Sequence, residues 1–169
     1  MSYHFVHLSP DDVPAMLALQ EEAFAHLPSS TWLRRNSAET FRQCTLPPHT
    51  AVGARTEEGT LVAFALLYVP TSADDPERLA TLLSKAPAVR TANSKLCIVH
   101  PHHRGQHLAA QLGTRLEAEA LRQGIGLLCA TASPHNEPSR RALEGQGYHA
   151  CGAVSKYGFD RLLYCKPLH

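Results

Sequence analysis

A histidine-rich stretch with an arginine–glycine pair, HPHHRGQHLAAQL at positions 100–112, holds residue types that could do chemistry. Its four imidazoles lie within eight residues and are of a kind that ligates zinc, copper or nickel. Arg104 instead offers a planar fork of donors suited to phosphate, and Gly105 lets a ligand approach the backbone closely. His102 and His103 would diverge in an extended loop, and no HExxH or CxxC motif accompanies them. We therefore favour phosphate over a metal, with solvated loop histidines as the third alternative.

The elements on either side of this loop strengthen the phosphate interpretation. The apolar run SKLCIVHP predicts a strand that Pro101 ends, and residues 106–123 predict a helix. One stripe of that helix carries Leu108, Leu112, Leu116 and Ala120. Backbone N–H groups in the first turn of a helix have no partner inside the helix, and the helix dipole attracts negative charge there. A strand, a basic loop and a helix in this order predict an anion site.

The remaining chain predicts one mixed α/β domain. Apolar periodicity and turn residues give the element order β-α-α-β-β-(α)-β-α-β-α-β-β, with no repeat or linker. Ser9 is the expected cap of the first helix, and a second helix should begin near Asn36 or Ser37. Residues 71–90 form a polar insertion between the third and fourth strands, where leucines at 79, 82 and 83 predict a short amphipathic helix.

Composition excludes several functional classes. The 169 residues carry 16 Lys and Arg against 15 Asp and Glu, so the net charge is +1 and offers no field for nucleic acid or an anionic membrane. The longest apolar run, at positions 61–69, is far shorter than the ~20 residues that span a bilayer. The N-terminus lacks the pattern of a secretory signal, so we expect a cytoplasmic protein. The five cysteines form no CxxC pair and are expected to be small core residues.

Two consecutive blocks, LCIVHPHHRGQHLAAQL and GLLCATASPHNEPSRRALEGQGY, resemble the GNAT superfamily of acyl-CoA-dependent N-acyltransferases. The loop pattern of that family is Arg or Gln, two residues, Gly, one residue, then Gly or Ala. Arg104 and Ala109 fit it, Gly105 matches a glycine common after the arginine, and His107 stands where the middle glycine is expected. The resemblance is good over the second half of the chain, whereas the first half matches mainly in element order.

The resemblance implies an α/β (α+β) fold, a single GNAT-like domain over residues 1–169. Its sheet would be mixed and mostly antiparallel, flanked by helices, with the fourth and fifth strands splayed apart by a bulge near Cys97 to Val99. The co-substrate would be acetyl-CoA, with no metal. The residues implied in binding it are Ile98, Val99, Arg104, Gly105, Gln106, His107, Leu108, Ala109, Asn136 and Ser139.

The second block matches the family's spacing but lacks its usual general acid. Asn136, Ser139 and Tyr148 fit the family spacing, although Asn136 is equally well explained as a helix N-cap, and Tyr148 as a core residue. Leu143 occupies the position of the tyrosine that often protonates the departing thiolate in the family. The usual general acid is therefore missing, and Tyr157 is a weak candidate to replace it.

The function implied is acetyl transfer from acetyl-CoA to an amine by direct attack in a ternary complex. Backbone N–H groups around Cys97, Ile98 and Val99 would stabilise the oxyanion. The expected partner is a small-molecule or peptide amine, and the oligomeric state stays open, with a homodimer among the alternatives. The rival class is a non-catalytic module that binds acyl-CoA as a sensor or scaffold.

Overall fold

A seven-stranded mixed sheet organises the chain, which the computed structural model describes over residues 2–156 and 158–168. The strands are β1 (His4–His7), β2 (Thr50–Arg55), β3 (Leu61–Tyr68), β4 (Thr91–Val99), β5 (Leu127–Ala132), β6 (His149–Lys156) and β7 (Phe159–Pro167). They lie in the order β1-β2-β3-β4-β5-β7-β6. Each neighbouring pair is antiparallel except β4 and β5, which run parallel. The predicted mixed, mostly antiparallel sheet is confirmed.

Four helices cover the two faces of this sheet. They are α1 (Val13–Ala25), α2 (Ala38–Cys44), α3 (Leu108–Arg122) and α4 (Glu137–Gly145). The first two pack on one face, around Met16, Phe41 and Phe64. The predicted apolar stripe of α3 is buried against the other face, as expected for an amphipathic helix. Among the residues described, no helix is long and apolar enough to cross a membrane.

The helix starts follow the predicted caps, but the insertion does not follow its prediction. Ser9 caps a 3-10 turn that leads into α1, and Ser37 caps α2. Within residues 71–90 the only described regular element is a 3-10 turn at Leu79–Leu82, so the predicted amphipathic helix is wrong. A short isolated helix is marginal without an apolar face to bury. Here Leu79 is buried whereas Leu82 is exposed, so no common face forms.

The parallel pair β4 and β5 comes apart partway along its length. Pairing is limited to three positions, the last of which joins Asn93 to Cys129. The prediction of splayed central strands is therefore confirmed. The predicted bulge at Cys97 to Val99 is wrong, because the β3–β4 ladder is regular there. Its register shifts between the pairs Leu66–Leu96 and Leu67–Ser94, which makes Lys95 the extra residue.

Asn93 ties the insertion to the sheet at the point where the strands separate. Its side-chain amide donates to the carbonyl of Glu77 at 2.6 Å and accepts from the N–H of Leu79 at 3.3 Å. The Tyr68 hydroxyl donates to Asp75 at 2.7 Å and fixes the start of the same segment. Since Asn93 is only 4% exposed, these bonds are shielded from water. Polar anchors, rather than a helix, hold residues 71–90 over the sheet.

Replacing Asn93 should therefore loosen this anchor. We expect Asn93→Ala to lower the free energy of unfolding by about 1–3 kcal/mol, because two backbone groups lose their buried partner. Thr81→Ala, an exposed change in the same segment, is the control and should stay within about 0.5 kcal/mol of the wild type. Urea unfolding measures both. An Asn93→Ala loss no larger than that of the control would contradict the anchoring role.

Candidate functional site

A large cleft opens where β4 and β5 separate. Its volume is about 850 Å³, and it is lined by β4, β5, the loop before α3, the first turns of α3, helix α4 and the chain after α1. Among the described lining residues there is no Asp or Glu, while Lys95, Arg104 and Arg141 are present. The cleft therefore combines an apolar slot with positive charge, a combination that suits a long ligand with an anionic end.

The first turn of α3 presents backbone donors to this cleft. The first helical hydrogen bond runs from the N–H of Gln111 to the carbonyl of His107 at 3.1 Å. The three preceding amides, at residues 108–110, thus have no carbonyl acceptor within the helix, and these residues line the cleft. Arg104 and Gly105 line it beside them. The strand–loop–helix geometry of an anion site, predicted from the sequence, is present.

His107 adopts a backbone conformation that ordinarily favours glycine. Its φ is +58° and its ψ +27°, and Gly105 two residues earlier also has a positive φ, of +81°. A residue with a side chain pays roughly 1–2 kcal/mol for this left-handed region, although histidine tolerates it better than most. The loop thus keeps the path that the expected glycine would take, at a cost in backbone strain.

The other loop histidines are engaged with nearby protein groups. Nδ1 of His103 lies 2.9 Å from the Tyr3 hydroxyl, and Nδ1 of His100 accepts from the N–H of His102 at 3.1 Å. Burial, with the neighbouring His102 ring, lowers the pKa of His100. Across residues 2–156 and 158–168, no three His, Cys, Asp or Glu side chains are placed to hold a metal. The His100 and His103 rings therefore support the conformation of the loop through these contacts.

The backbone of β4 faces the cleft at alternate residues. The N–H of His100 donates to the Val62 carbonyl at 2.8 Å, and hydrogen-bonded pairs recur every second residue of an antiparallel ladder. The N–H of Ile98 is therefore directed toward β3. The amides of Cys97 and Val99 point the opposite way, into the gap beside β5. Of the three amides predicted as oxyanion donors, only those of Cys97 and Val99 therefore face the gap.

The Cys97 side chain is exposed to the cleft, although the walls of the cleft limit the bulk water around its thiol. This desolvation raises the pKa of Cys97 to about 12. A thiol with such a pKa stays protonated at neutral pH and is a poor nucleophile. The side chain at this position therefore fills space beside the backbone groups.

Several predicted residues have a structural role at the cleft. The Asn136 side chain accepts from the Ser139 N–H at 3.3 Å and caps α4, which confirms the capping interpretation, and both residues line the cleft. Leu143 also lines it, whereas Gln106 does not. Tyr148 is a core residue, 5% exposed, and burial raises its pKa to about 12. Tyr157 lies outside the described residues.

Sequence reasoning missed the other end of the cleft. Trp32 and Leu33 wall it there, beside His26, whose Nδ1 lies 2.9 Å from the carbonyl of Glu22. Gly113 was also missed, and a side chain there would require the flexible end of the Gln146 side chain to move. No periodicity or motif marks these positions, because they meet only through the tertiary fold.

A smaller cavity of about 70 Å³, which we name the side cavity, adjoins the cleft at the splitting point. It is lined by Trp32, Leu33, Arg34, Asn36, Leu79, Asn93, Ser94, Lys95, Leu96, Thr131 and Arg161. Six of these residues also line the cleft, and Leu79 comes from the insertion at residues 71–90. The two spaces therefore share one wall along β4.

The split mixed sheet and the first-turn amides of α3 that face the cleft agree with the fold that the resemblance implies. The family described as "Acetyltransferase (GNAT) family" matches residues 13–148, and the chain belongs to this family. No curated protein matches the chain.

Solved structures share the fold at low sequence identity. A phosphinothricin acetyltransferase from Sinorhizobium meliloti in complex with AcCoA is 16% identical, with 99% of this chain and 89% of that chain covered and a TM-score of 0.75. An N-acetyltransferase from Staphylococcus aureus Mu50 is 18% identical, with 99% of both chains covered and a TM-score of 0.73. The ribosomal-protein-S18-alanine N-acetyltransferase from Escherichia coli is 19% identical, with 98% and 94% covered and a TM-score of 0.72.

Position 107 tests whether the loop holds phosphate through its amides. His107→Gly should keep or improve CoA affinity and should not lower the thermal midpoint, since glycine removes the strain. His107→Asp should weaken CoA binding about tenfold or more, or ~1.4 kcal/mol, because a carboxylate would face the phosphates. Calorimetric titration with CoA measures both.

His149→Asp, the same change at an exposed position outside the cleft lining, is the matched control and should bind CoA like the wild type. A chelator should have no effect on the wild type. Equal losses from His107→Gly and His107→Asp, reproduced by chelation, would instead identify a metal cluster.

Proposed function

We propose that this protein transfers an acetyl group from acetyl-CoA to an amine by direct attack in a ternary complex. The observation that carries the proposal is the separation of β4 from β5 after Asn93, which leaves two β4 amides facing a cleft that ends at the first turn of α3. This arrangement supplies donors for a thioester oxygen at one place and for phosphates at another, in one continuous space.

Acetyl-CoA would lie along the cleft with its pyrophosphate at the start of α3 and its acetyl group near Cys97. Its pyrophosphate would accept from the amides of Leu108 and Ala109, with Arg104 adding positive charge. The pantetheine arm would run along β4 in place of the missing β5 neighbour. The acetyl group would then reach the backbone near Cys97, and the acceptor would enter beside Trp32 and Leu33.

The reaction needs no covalent enzyme intermediate. The neutral amine nitrogen attacks the thioester carbonyl carbon and forms the new C–N bond. The carbonyl oxygen of the thioester becomes negative and accepts hydrogen bonds from the amides of Cys97 and Val99, which are positioned before the reaction begins. The C–S bond breaks, the CoA thiolate leaves, and the nitrogen loses a proton. The products are the acetylated amine and CoA.

Proton transfer would use groups at the mouth of the cleft. Leu143 replaces the usual tyrosine, so water protonates the departing thiolate. The CoA thiolate is a fair leaving group near neutral pH, so a positioned acid is not needed. Because the Glu22 carbonyl can only accept, Nδ1 of His26 carries the proton of that contact, and Nε2 of a neutral ring accepts. His26 is therefore our candidate to take the amine proton, directly or through water.

The Cys97 thiol separates direct attack from an acyl-enzyme route. Cys97→Ala should keep turnover within about threefold of the wild type, because the backbone amide survives and the protonated thiol takes no part in the chemistry. Cys151→Ala, remote from the cleft, is the matched control. Release of CoA, followed by chromatography, gives the rates. A loss of a hundredfold in Cys97→Ala alone, with acetylated Cys97 detected by mass spectrometry, would contradict direct attack.

Acetyl-CoA binding and amine acetylation test the proposed function itself. CoA and acetyl-CoA should raise the thermal midpoint with concentration, because both bind only the folded state, and adenosine should do so much less. A panel of amines incubated with acetyl-CoA should yield acetylated product by mass spectrometry. An unmoved melting curve at millimolar acetyl-CoA would refute the cofactor assignment. Tight binding without any product would instead favour the sensor class, to which the leucine at position 143 points.

A further inference from the structure

Three cysteines on neighbouring strands form a cluster on one face of the sheet. Cys129 and Cys165 are paired across β5 and β7, with their sulfurs 4.0 Å apart. Cys151 of β6 reaches the same point, and its sulfur lies 2.8 Å from that of Cys165. All three are free thiols. Cys165 therefore lies between two other thiols, one on each neighbouring strand.

A bulge in β6 brings Cys151 to this position. The register of the β6–β7 ladder shifts between Ala150 and Gly152, which makes Cys151 the extra residue of the strand. A bulge redirects the side chain that it carries, and here the Cys151 thiol lies 3.4 Å from the Leu163 carbonyl, to which it donates. The bulged backbone of β6 thus holds the Cys151 sulfur against that of Cys165.

Exposure to solvent differs among the three cysteines. Cys129 is buried and packs with Leu79 and Ala80 of the insertion, and Cys165 is partly buried beside it. Cys151 is exposed, so the expectation that all five cysteines are core residues is wrong at this position. A reagent in solution therefore reaches Cys151 first, and Cys165 is the thiol next to it.

We propose that Cys151 and Cys165 are a redox pair, which a small disulfide such as oxidised glutathione converts reversibly into an intramolecular disulfide. Strand β6 is the outermost strand at its end of the sheet, with β7 as its neighbour. The bond would therefore fasten an edge strand to the sheet and close the chain between residues 151 and 165. A cross-link of this kind stabilises a protein chiefly by restricting its unfolded chain. The site does not depend on the proposed acetyl transfer.

The exchange takes place in two steps. The Cys151 thiolate attacks one sulfur of oxidised glutathione, a bond forms between these sulfurs, and one glutathione thiolate leaves. The Cys165 thiolate then attacks the Cys151 sulfur of this mixed disulfide, and the second glutathione thiolate leaves. The protons lost from the two cysteines end on the two glutathione thiols. The cysteine pair is oxidised by two electrons, and oxidised glutathione is reduced by the same two.

Proximity, rather than acidity, favours this pair. Desolvation of its sulfur, with the Cys165 contact second, raises the pKa of Cys151 to about 12. The contact with Cys129 raises the pKa of Cys165. Since the thiolate is the attacking form, the first step is slow at neutral pH. The second step is intramolecular, so the neighbouring thiol outcompetes a second molecule of glutathione. The pair should therefore close instead of holding two mixed disulfides.

Peptide mapping tests the pair directly. The whole protein is incubated with oxidised glutathione, the remaining thiols are blocked with N-ethylmaleimide, and the chain is cut with trypsin in the absence of reductant. Trypsin places the three cysteines of the cluster in separate peptides, residues 123–140, 142–156 and 162–169. We expect peptide 142–156 to be linked to peptide 162–169, and dithiothreitol to remove the link. Glutathione adducts without this linked peptide, or a link from Cys129 to Cys165, would overturn the proposal.

Variants assign the role of each thiol. Cys151→Ser should abolish the linked peptide, whereas Cys165→Ser should trap glutathione on Cys151, because the attacking thiol remains and the resolving thiol is gone. Cys97→Ser, the same change at an exposed cysteine outside the cluster, is the matched control and should form the linked peptide like the wild type. As much glutathione on Cys151 in the wild type as in Cys165→Ser would overturn the pairing. If Cys165→Ser proves unfolded by its melting curve, Cys151→Ser against Cys97→Ser decides.

The thermal midpoint tests the effect on the edge strand. The oxidised wild type should melt about 4–10 °C above the reduced protein, because the cross-link restricts the unfolded chain. Cys151→Ser should melt at the same temperature under both conditions. A wild type that carries the linked peptide and melts no higher than the reduced protein would show that the bond does not fasten β6, and the proposal would be wrong on that point.

Discussion

The separation of β4 from β5 is the constraint on which the rest of this structure depends. A parallel pair that continued past Asn93 would satisfy its backbone groups internally and close the cleft. Because it stops there, the amides of Cys97 and Val99 face open space instead of a neighbouring strand. Buried backbone groups need partners, so a gap of this kind is stable only where a ligand or water supplies them. The proposed binding function thus depends on an incomplete sheet.

The bulge and the insertion make the separation stable. Lys95 is an extra residue in β4, and such residues increase the local twist and bend a strand away from its course. Asn93 bonds the insertion at the same level, so that residues 71–90 cover the place where pairing ends. The side cavity arises between these features. The bulged residue, Lys95, lies beside the Glu77 carboxylate and over the Tyr68 ring.

The sequence predicted the features that depend on local residue patterns and missed those formed by residues that only the fold brings together. The order of the strands and main helices, the start of α2 near Asn36 or Ser37 and the buried stripe of α3 all follow from periodicity and capping chemistry. The site at the start of α3 followed because its donors are consecutive residues. The helix expected in the insertion failed because its leucines do not share a buried face. Bulge position depends on ladder register, which one strand's sequence does not contain.

The side cavity shows most clearly why a sequence pattern does not reveal residues that meet only in the folded chain. Arg34 and Arg161 are separated by most of the chain, and each alone looks like an ordinary charged residue. Only the sheet order, which places β7 next to β5, brings Arg161 to the end of the gap that Lys95 borders. The proposed CoA site, by contrast, uses backbone groups that any sequence of the right shape supplies. It follows that the fold and a backbone-built site of this kind can persist at very low identity, whereas a site built from side chains need not be shared by relatives.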